Sequence, residues 1–180
     1  RCFEGECVPD DCLATGCPQP GGAQDRSTLP TLVTDDPSAE AQLRAAREAE
    51  EEGRASEAEL LYDAFLEEHP TDPLVPLAQL GLGRVQLAVG RVEEALALFA
   101  VVETSDDPAV AESGRFYRGV ALQLVGRSAE ALEVLVPLID RTVDPVRTLL
   151  LLQSVAAAAE RGSRTDLALT AFARPASDPD

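Results

Sequence analysis

Apolar residues along this chain recur with helical periodicity in stretches of two lengths, separated by two regular beats. One beat is Asp-Pro, at Asp36-Pro37, Asp72-Pro73, Asp107-Pro108, Asp144-Pro145 and Asp178-Pro179, and subtraction gives steps of 36, 35, 37 and 34 residues. Asp accepts a hydrogen bond from an orphan N–H at a helix start, and Pro fits the first helical position because its missing donor would be unpaired there. Each Asp-Pro is therefore expected to start a helix. The other beat is Gly, at Gly53, Gly90, Gly126 and Gly162, in steps of 37, 36 and 36. Gly reaches the left-handed conformation that ends many helices. A longer helical stretch runs from each Asp-Pro to its Gly and a shorter one from Gly to the next Asp-Pro, so every unit reads as a helical hairpin.

Within the shorter stretches a phrase repeats: Glu57-Ala58, Glu94-Ala95 and Glu130-Ala131, followed four residues after the Ala by Tyr62, Phe99 and Leu135. A small Ala lets two crossing backbones approach, and a large residue one turn later fills the gap beside them. The fourth unit is weaker, with Asp166-Leu167 in place of Glu-Ala, Ala168 one residue late and Phe172 after it.

Composition agrees with an all-α core. Hydrophobic residues make up 45% of the 180 but aromatics only 4%, so closely spaced aliphatic helices must supply the buried surface. All 15 basic residues are Arg, and Lys and Asn are absent, a usage that fits a GC-rich genome. The formal net charge of −17 repels phosphate backbones and anionic headgroups, which argues against nucleic acid as a partner. The most apolar run, Leu149 to Ala159, is too short to span a bilayer and is broken by Gln153 and Ser154. Met is absent, which leads to the expectation that the chain is a processed or excised part of a longer product, with a signal peptide already removed.

All four cysteines, Cys2, Cys7, Cys12 and Cys17, lie in a Gly- and Pro-containing segment with acidic residues, too small for its own core. An even count in such a segment reads as a disulfide staple, with three connectivities open. A tetrathiolate zinc site is the rival, since this spacing is tolerated by zinc, although the neighbouring acids add unwanted negative charge. A lipid anchor is a third reading, but it needs Cys as the first mature residue and Arg1 precedes Cys2. The chain thus divides into a Cys-rich segment (1–22), a flexible linker (23–35) and a repeat domain (36–177), with units 36–71, 72–106, 107–143 and 144–177.

The units resemble the tetratricopeptide repeat, a two-helix motif of about 34 residues. Leu82-Gly83, Gly90, Ala95 and Phe99 match its pattern in the second unit; Gly53, Ala58, Tyr62 and Pro70 in the first; Gly119, Gly126 and Ala131 in the third. The family's usual first-helix Trp is missing throughout. The phrase around Tyr62, Phe65, Leu66 and Pro70 is most similar to repeats of bacterial envelope proteins such as outer-membrane assembly lipoproteins, the cell-division coordinator and penicillin-binding-protein activators. The resemblance implies an all-α solenoid of about four hairpins acting as a non-catalytic scaffold for protein partners. That scaffold would be periplasmic or extracellular, outer-membrane associated, with an upstream lipid anchor as a variant, and would form the N-terminal part of a larger lipoprotein or periplasmic protein. A structural spacer that presents a downstream ligand-binding domain is the alternative.

In this family first helices line a concave groove, which carries Leu43, Arg47, Leu77, Leu80, Arg84, Phe116, Tyr117 and Val120 into it. Ordinary packing is one reading of these residues. The other is a peptide or partner helix whose carboxylates pair with Arg47 and Arg84. Family members that clamp a C-terminal carboxylate use Lys and Asn, which this chain lacks. The first helix of the fourth unit, with Val146, Leu149 to Leu152 and Val155 to Ala159, is apolar on nearly every side, and with Asp178-Pro179 it suggests further repeats or a domain after Asp180.

Catalytic chemistry finds little support. The single histidine, His69, precedes Pro70 and reads as a helix cap. No Gly-x-Ser-x-Gly elbow is present, and Gly81-x-Gly83 lies inside a helix without a preceding strand or Lys, where close helix packing explains it. Glu50, Glu51 and Glu52 are consecutive and point in different directions, as on a solvated face. No cofactor and no metal in the repeat domain are expected.

Overall fold

The structure, a computed structural model, describes residues 2–3, 6–7, 32–139 and 145–162. Seven helices are described: α1 (Pro37–Glu51), α2 (Ala55–Glu68), α3 (Val75–Ala88), α4 (Val92–Val102), α5 (Pro108–Leu124), α6 (Ser128–Ile139) and α7 (Pro145–Arg161). They form three complete hairpins and the first helix of a fourth. Residues 163–177, which carry the weak phrase of the fourth unit, lie outside the described residues, as do Asp144 and Asp178. So do Cys12, Cys17 and most of the linker. Near the N-terminus two short strands, β1 (Cys2–Phe3) and β2 (Glu6–Cys7), pair antiparallel, with Cys2 opposite Cys7 and Phe3 opposite Glu6.

Among the described residues, the beats act locally as their chemistry requires at Asp36, Asp107, Gly53, Gly90 and Gly126, and Asp72 is an exception. Asp36 caps α1 by accepting from the Ser38 N–H at 2.8 Å, and buried Asp107 caps α5 by accepting from the Ala109 and Val110 N–H groups at 2.8 and 3.1 Å. Asp72 does not start its helix. A helix capped there would need the N–H of residue 76 to reach the Asp72 carbonyl, and residue 76 is Pro. The chain instead makes a tighter turn: the Val75 N–H donates to the Asp72 carbonyl at 3.0 Å, the Leu74 N–H donates to Asp72 Oδ1 at 2.7 Å, and α3 begins at Val75.

Gly53, Gly90 and Gly126 all have positive φ, 73°, 86° and 78°. The residue after each is Arg, whose N–H reaches back to a helical carbonyl: Arg54 to Ala49 (2.9 Å), Arg91 to Gln86 (2.8 Å) and Arg127 to Leu122 (2.8 Å). This is the Schellman closure, and it ends α1, α3 and α5 in the same way. The same arginines pair with the Glu of the repeated phrase three residues on, Arg54 with Glu57, Arg91 with Glu94 and Arg127 with Glu130.

Each helix packs on the one before and the one after it, and the core follows from small residues facing large ones. Ala58, Ala95 and Ala131 are fully buried at the crossings, and so are Tyr62, Phe99 and Leu135 one turn later. Across from these stand glycines of the first helices. A Cβ on Gly83 would fall 2.6 Å from Phe99 Cε1, and one on Gly119 would overlap Leu135; Gly81 is pressed likewise against the Tyr62 ring of the preceding unit. The Gly81-x-Gly83 pair is therefore close packing. Ahead of α1, Leu32 packs on both halves of the core, and the Thr34 hydroxyl donates to Asp72 Oδ2 at 2.5 Å.

Consecutive first helices also touch, α1 on α3, α3 on α5 and α5 on α7, whereas consecutive second helices make no comparable contact among the described residues. The first helices thus form the inner layer of the curve. On α7, Leu151, Val155, Ala158 and Ala159 are buried, while Leu149 and Leu150 are 57% and 49% exposed.

Candidate functional site: the inner face of the first helices

The residues expected to line a groove divide into floor and surface. Leu43 and Leu80 are buried and belong to the core. Leu77, Phe116 and Tyr117 are half-buried and pack against the core from α3 and α5, Val120 of α5 is half-buried too, and Arg47 on α1 is exposed. The structure brings the aromatics together: Phe116 meets Tyr117 edge-on with ring centroids 5.3 Å apart, and Tyr117 stacks on buried Phe99 at 5.6 Å.

Arg84 occupies a different place from Arg47. Its guanidinium makes a two-pronged pair with Glu50 of α1, Nε to Oε1 at 2.6 Å and Nη2 to Oε2 at 2.7 Å. It also lies over the Tyr117 ring, 5.7 Å from the centroid. The hydroxyl of buried Tyr62 donates to Glu50 Oε2 at 2.7 Å. Glu50, Tyr62, Arg84 and Tyr117 therefore link α1, α2, α3 and α5 across three units. Sequence reasoning placed Glu50 on a solvated face; in the fold it is the centre of this network, while its neighbours Glu51 and Glu52 are exposed.

The electrostatics follow from that geometry. Partial burial works to raise the Glu50 carboxyl, but the hydrogen bonds and charge of Arg84, with the Tyr62 hydroxyl, outweigh it and hold the group below its usual value. Burial and the adjacent Glu50 push the Tyr62 hydroxyl well up, so it stays a donor. Burial disfavours the charged form of Arg84, yet Glu50 more than compensates and Arg84 is held firmly cationic. A guanidinium already satisfied in this way has less capacity for a partner's carboxylate.

Elsewhere, Arg118 of α5 donates to both oxygens of Glu103 at the end of α4, at 2.7 and 2.8 Å. His69 caps α2 through its backbone N–H, its ring lies 5.2 Å from the Phe65 ring, and its Nδ1 stands 3.4 Å from Asp36 Oδ2. Its buried Nε2 has no hydrogen-bond partner. Among the described residues no group of His, Cys, Asp and Glu is arranged to hold a metal ion, and no helix is long and apolar enough to cross a membrane.

Stacked helical hairpins with an inner layer of first helices, small residues at the crossings and Gly closures define a solenoid of the tetratricopeptide type. Solved structures have the same fold. Two crystal structures of a Podosopora anserina putative kinesin light chain with nearly identical TPR-like repeats superpose with TM-scores of 0.61 and 0.59. Each is 24% identical in sequence, over 79% of this chain and 75% of theirs. No family model matches the chain, and no curated protein matches it.

Proposed function

We propose that this protein is a non-catalytic scaffold that holds a peptide or helix of a protein partner on the inner face of its first helices. The observation that carries the reading is the row of half-buried Leu77, Phe116, Tyr117 and Val120 on α3 and α5, beside the fixed Glu50–Arg84 pair and the exposed Arg47. Half-buried aromatic and aliphatic side chains are what a partner's apolar residues dock against. The fold supports a protein partner because each repeat leaves an extended surface on the inside of the stack.

In this proposal the scaffold works in the bacterial cell envelope, periplasmic or extracellular and associated with the outer membrane. There it would be the N-terminal repeat part of a larger lipoprotein or periplasmic protein, with an upstream lipid anchor as a variant, and would be followed by further repeats or a domain after Asp180. The Cys-rich segment is stapled by disulfides, which an oxidising compartment sustains. The Tyr62 to Pro70 phrase and the clustering of all cysteines in one short segment support this placement.

A photo-crosslinking residue at Phe116 or Val120, compared with one at 70%-exposed Leu60 on α2, tests the groove. Selective crosslinking from the inner face to one protein is expected. Equal or absent crosslinking at both places favours the spacer reading, in which the repeats bind nothing and only carry a neighbouring domain. Recovery of the natural product in the cytosol with four free thiols would defeat the envelope placement.

A further inference from the structure

The N-terminal strands bear on a question that cysteine spacing leaves open. Resting on the disulfide reading above, we infer that Cys2 is joined to Cys7, which leaves Cys12 and Cys17 as the remaining two cysteines. The carrying observation is the register, in which the backbone of β1 places Cys2 directly opposite Cys7 of β2.

Two residues, Glu4 and Gly5, separate the inner pair Phe3 and Glu6. In an antiparallel ladder the pair flanking a two-residue connection exchanges hydrogen bonds, and the next pair outward does not. Cys2 and Cys7 are that next pair. Non-hydrogen-bonded partners have Cα atoms about 4.5 Å apart, inside the span a disulfide bridges without moving the backbone. Two-residue strands are marginal alone in water, so a covalent closure at their open end is what such a hairpin needs.

The bond forms by exchange with a disulfide-bearing oxidant. The Cys2 thiolate attacks one oxidant sulfur and releases the other as a thiolate; the Cys7 thiolate then attacks the Cys2 sulfur of the mixed disulfide and releases the oxidant as its dithiol. Two electrons pass to the oxidant, and the two protons given up by the Cys2 and Cys7 thiols end, by way of solvent, on the oxidant's two thiols.

Cleavage before aspartate tests the pairing. Cuts before Asp10, Asp11 and Asp25 release residues 1–9, with Cys2 and Cys7, from residues 11–24, with Cys12 and Cys17. The full chain is alkylated in acid denaturant, digested without reductant and weighed. Residues 1–9 are expected as a free peptide, unalkylated and lighter than its dithiol form by two hydrogens. Both crossed connectivities leave 1–9 covalently attached to 11–24, and that outcome overturns the inference while sparing the disulfide reading. Four alkylated cysteines overturn both. Cys7→Ser provides a second arm: Cys2 alone should become alkylatable, whereas in either crossed scheme the freed thiol is Cys12 or Cys17.

Discussion

Arg84 on α3 grips Glu50 on α1 with both prongs of its guanidinium, across a separation of 34 residues, and rests against the Tyr117 ring on α5. One repeat length thus separates the two halves of the pair, so the stacking period itself brings them together. Glu50→Gln should lower stability at neutral pH by about 1–3 kcal/mol, because it leaves Arg84 half-buried with a neutral partner. The folded Glu50 value lies below its ordinary one, so its contribution is complete above the unfolded value and is lost as pH falls through the lower, folded one. Urea unfolding of both proteins from pH 7 down to pH 3 should show the gap narrowing in acid; a pH-independent gap would refute the assignment.

Asp63 behaves oppositely. Burial, with Glu59 and Glu67 one turn away on either side, raises its carboxyl against the pull of Arg91. Folding therefore opposes its ionisation, and protonation in acid relieves the strain. Asp63→Asn should stabilise by a few tenths of a kcal/mol at neutral pH, as removing a like charge at helical spacing does on an exposed face. The gain should vanish as pH falls toward the ordinary aspartate value. Thermal melts at pH 7 and pH 4 measure both arms.

The Gly83–Phe99 contact leaves no room for a methyl group. Gly83→Ala should destabilise by about 1–3 kcal/mol through overpacking, and Phe99→Ala by about 3–5 kcal/mol through the cavity it leaves. Combined, the two should cost less than their sum, because the added methyl enters the emptied space. Strict additivity in urea titrations would count against a direct contact.

The Asp-Pro pairs should separate by role. Asp107→Ala removes a buried cap that serves two N–H groups and should cost about 1–2 kcal/mol. Pro73→Ala lies ahead of α3 rather than at its first position and should change stability less than Pro108→Ala at the start of α5. Reversal of that order would show that α3 starts at the earlier proline.

Much of this architecture was legible from residues with one local job. Gly53, Gly90 and Gly126 mark helix ends because only a left-handed residue closes them, and Ala58, Ala95 and Ala131 mark crossings because only a small residue fits. Asp72 misled because the decisive residue, Pro76, acts through an absent N–H four positions on. Glu50 misled for a different reason: three adjacent glutamates look alike in sequence, and only the stacking of one unit on the next decides which of them meets Arg84. The Gly-Arg pairs at 53-54, 90-91 and 126-127 were a further signal available in the sequence. They tie each turn to the Glu of the following helix.

The contact of first helix with first helix, which the second helices among the described residues do not match, gives the stack the mechanics of a bowed leaf spring. Straightening it must separate α1, α3 and α5 along their inner edge before any single hairpin comes apart. The Glu50–Arg84–Tyr117 link crosses that edge and should stiffen its end of the spring, while α5 and α7, tied there by Gln123 to the Ser154 carbonyl, bend about a separate joint.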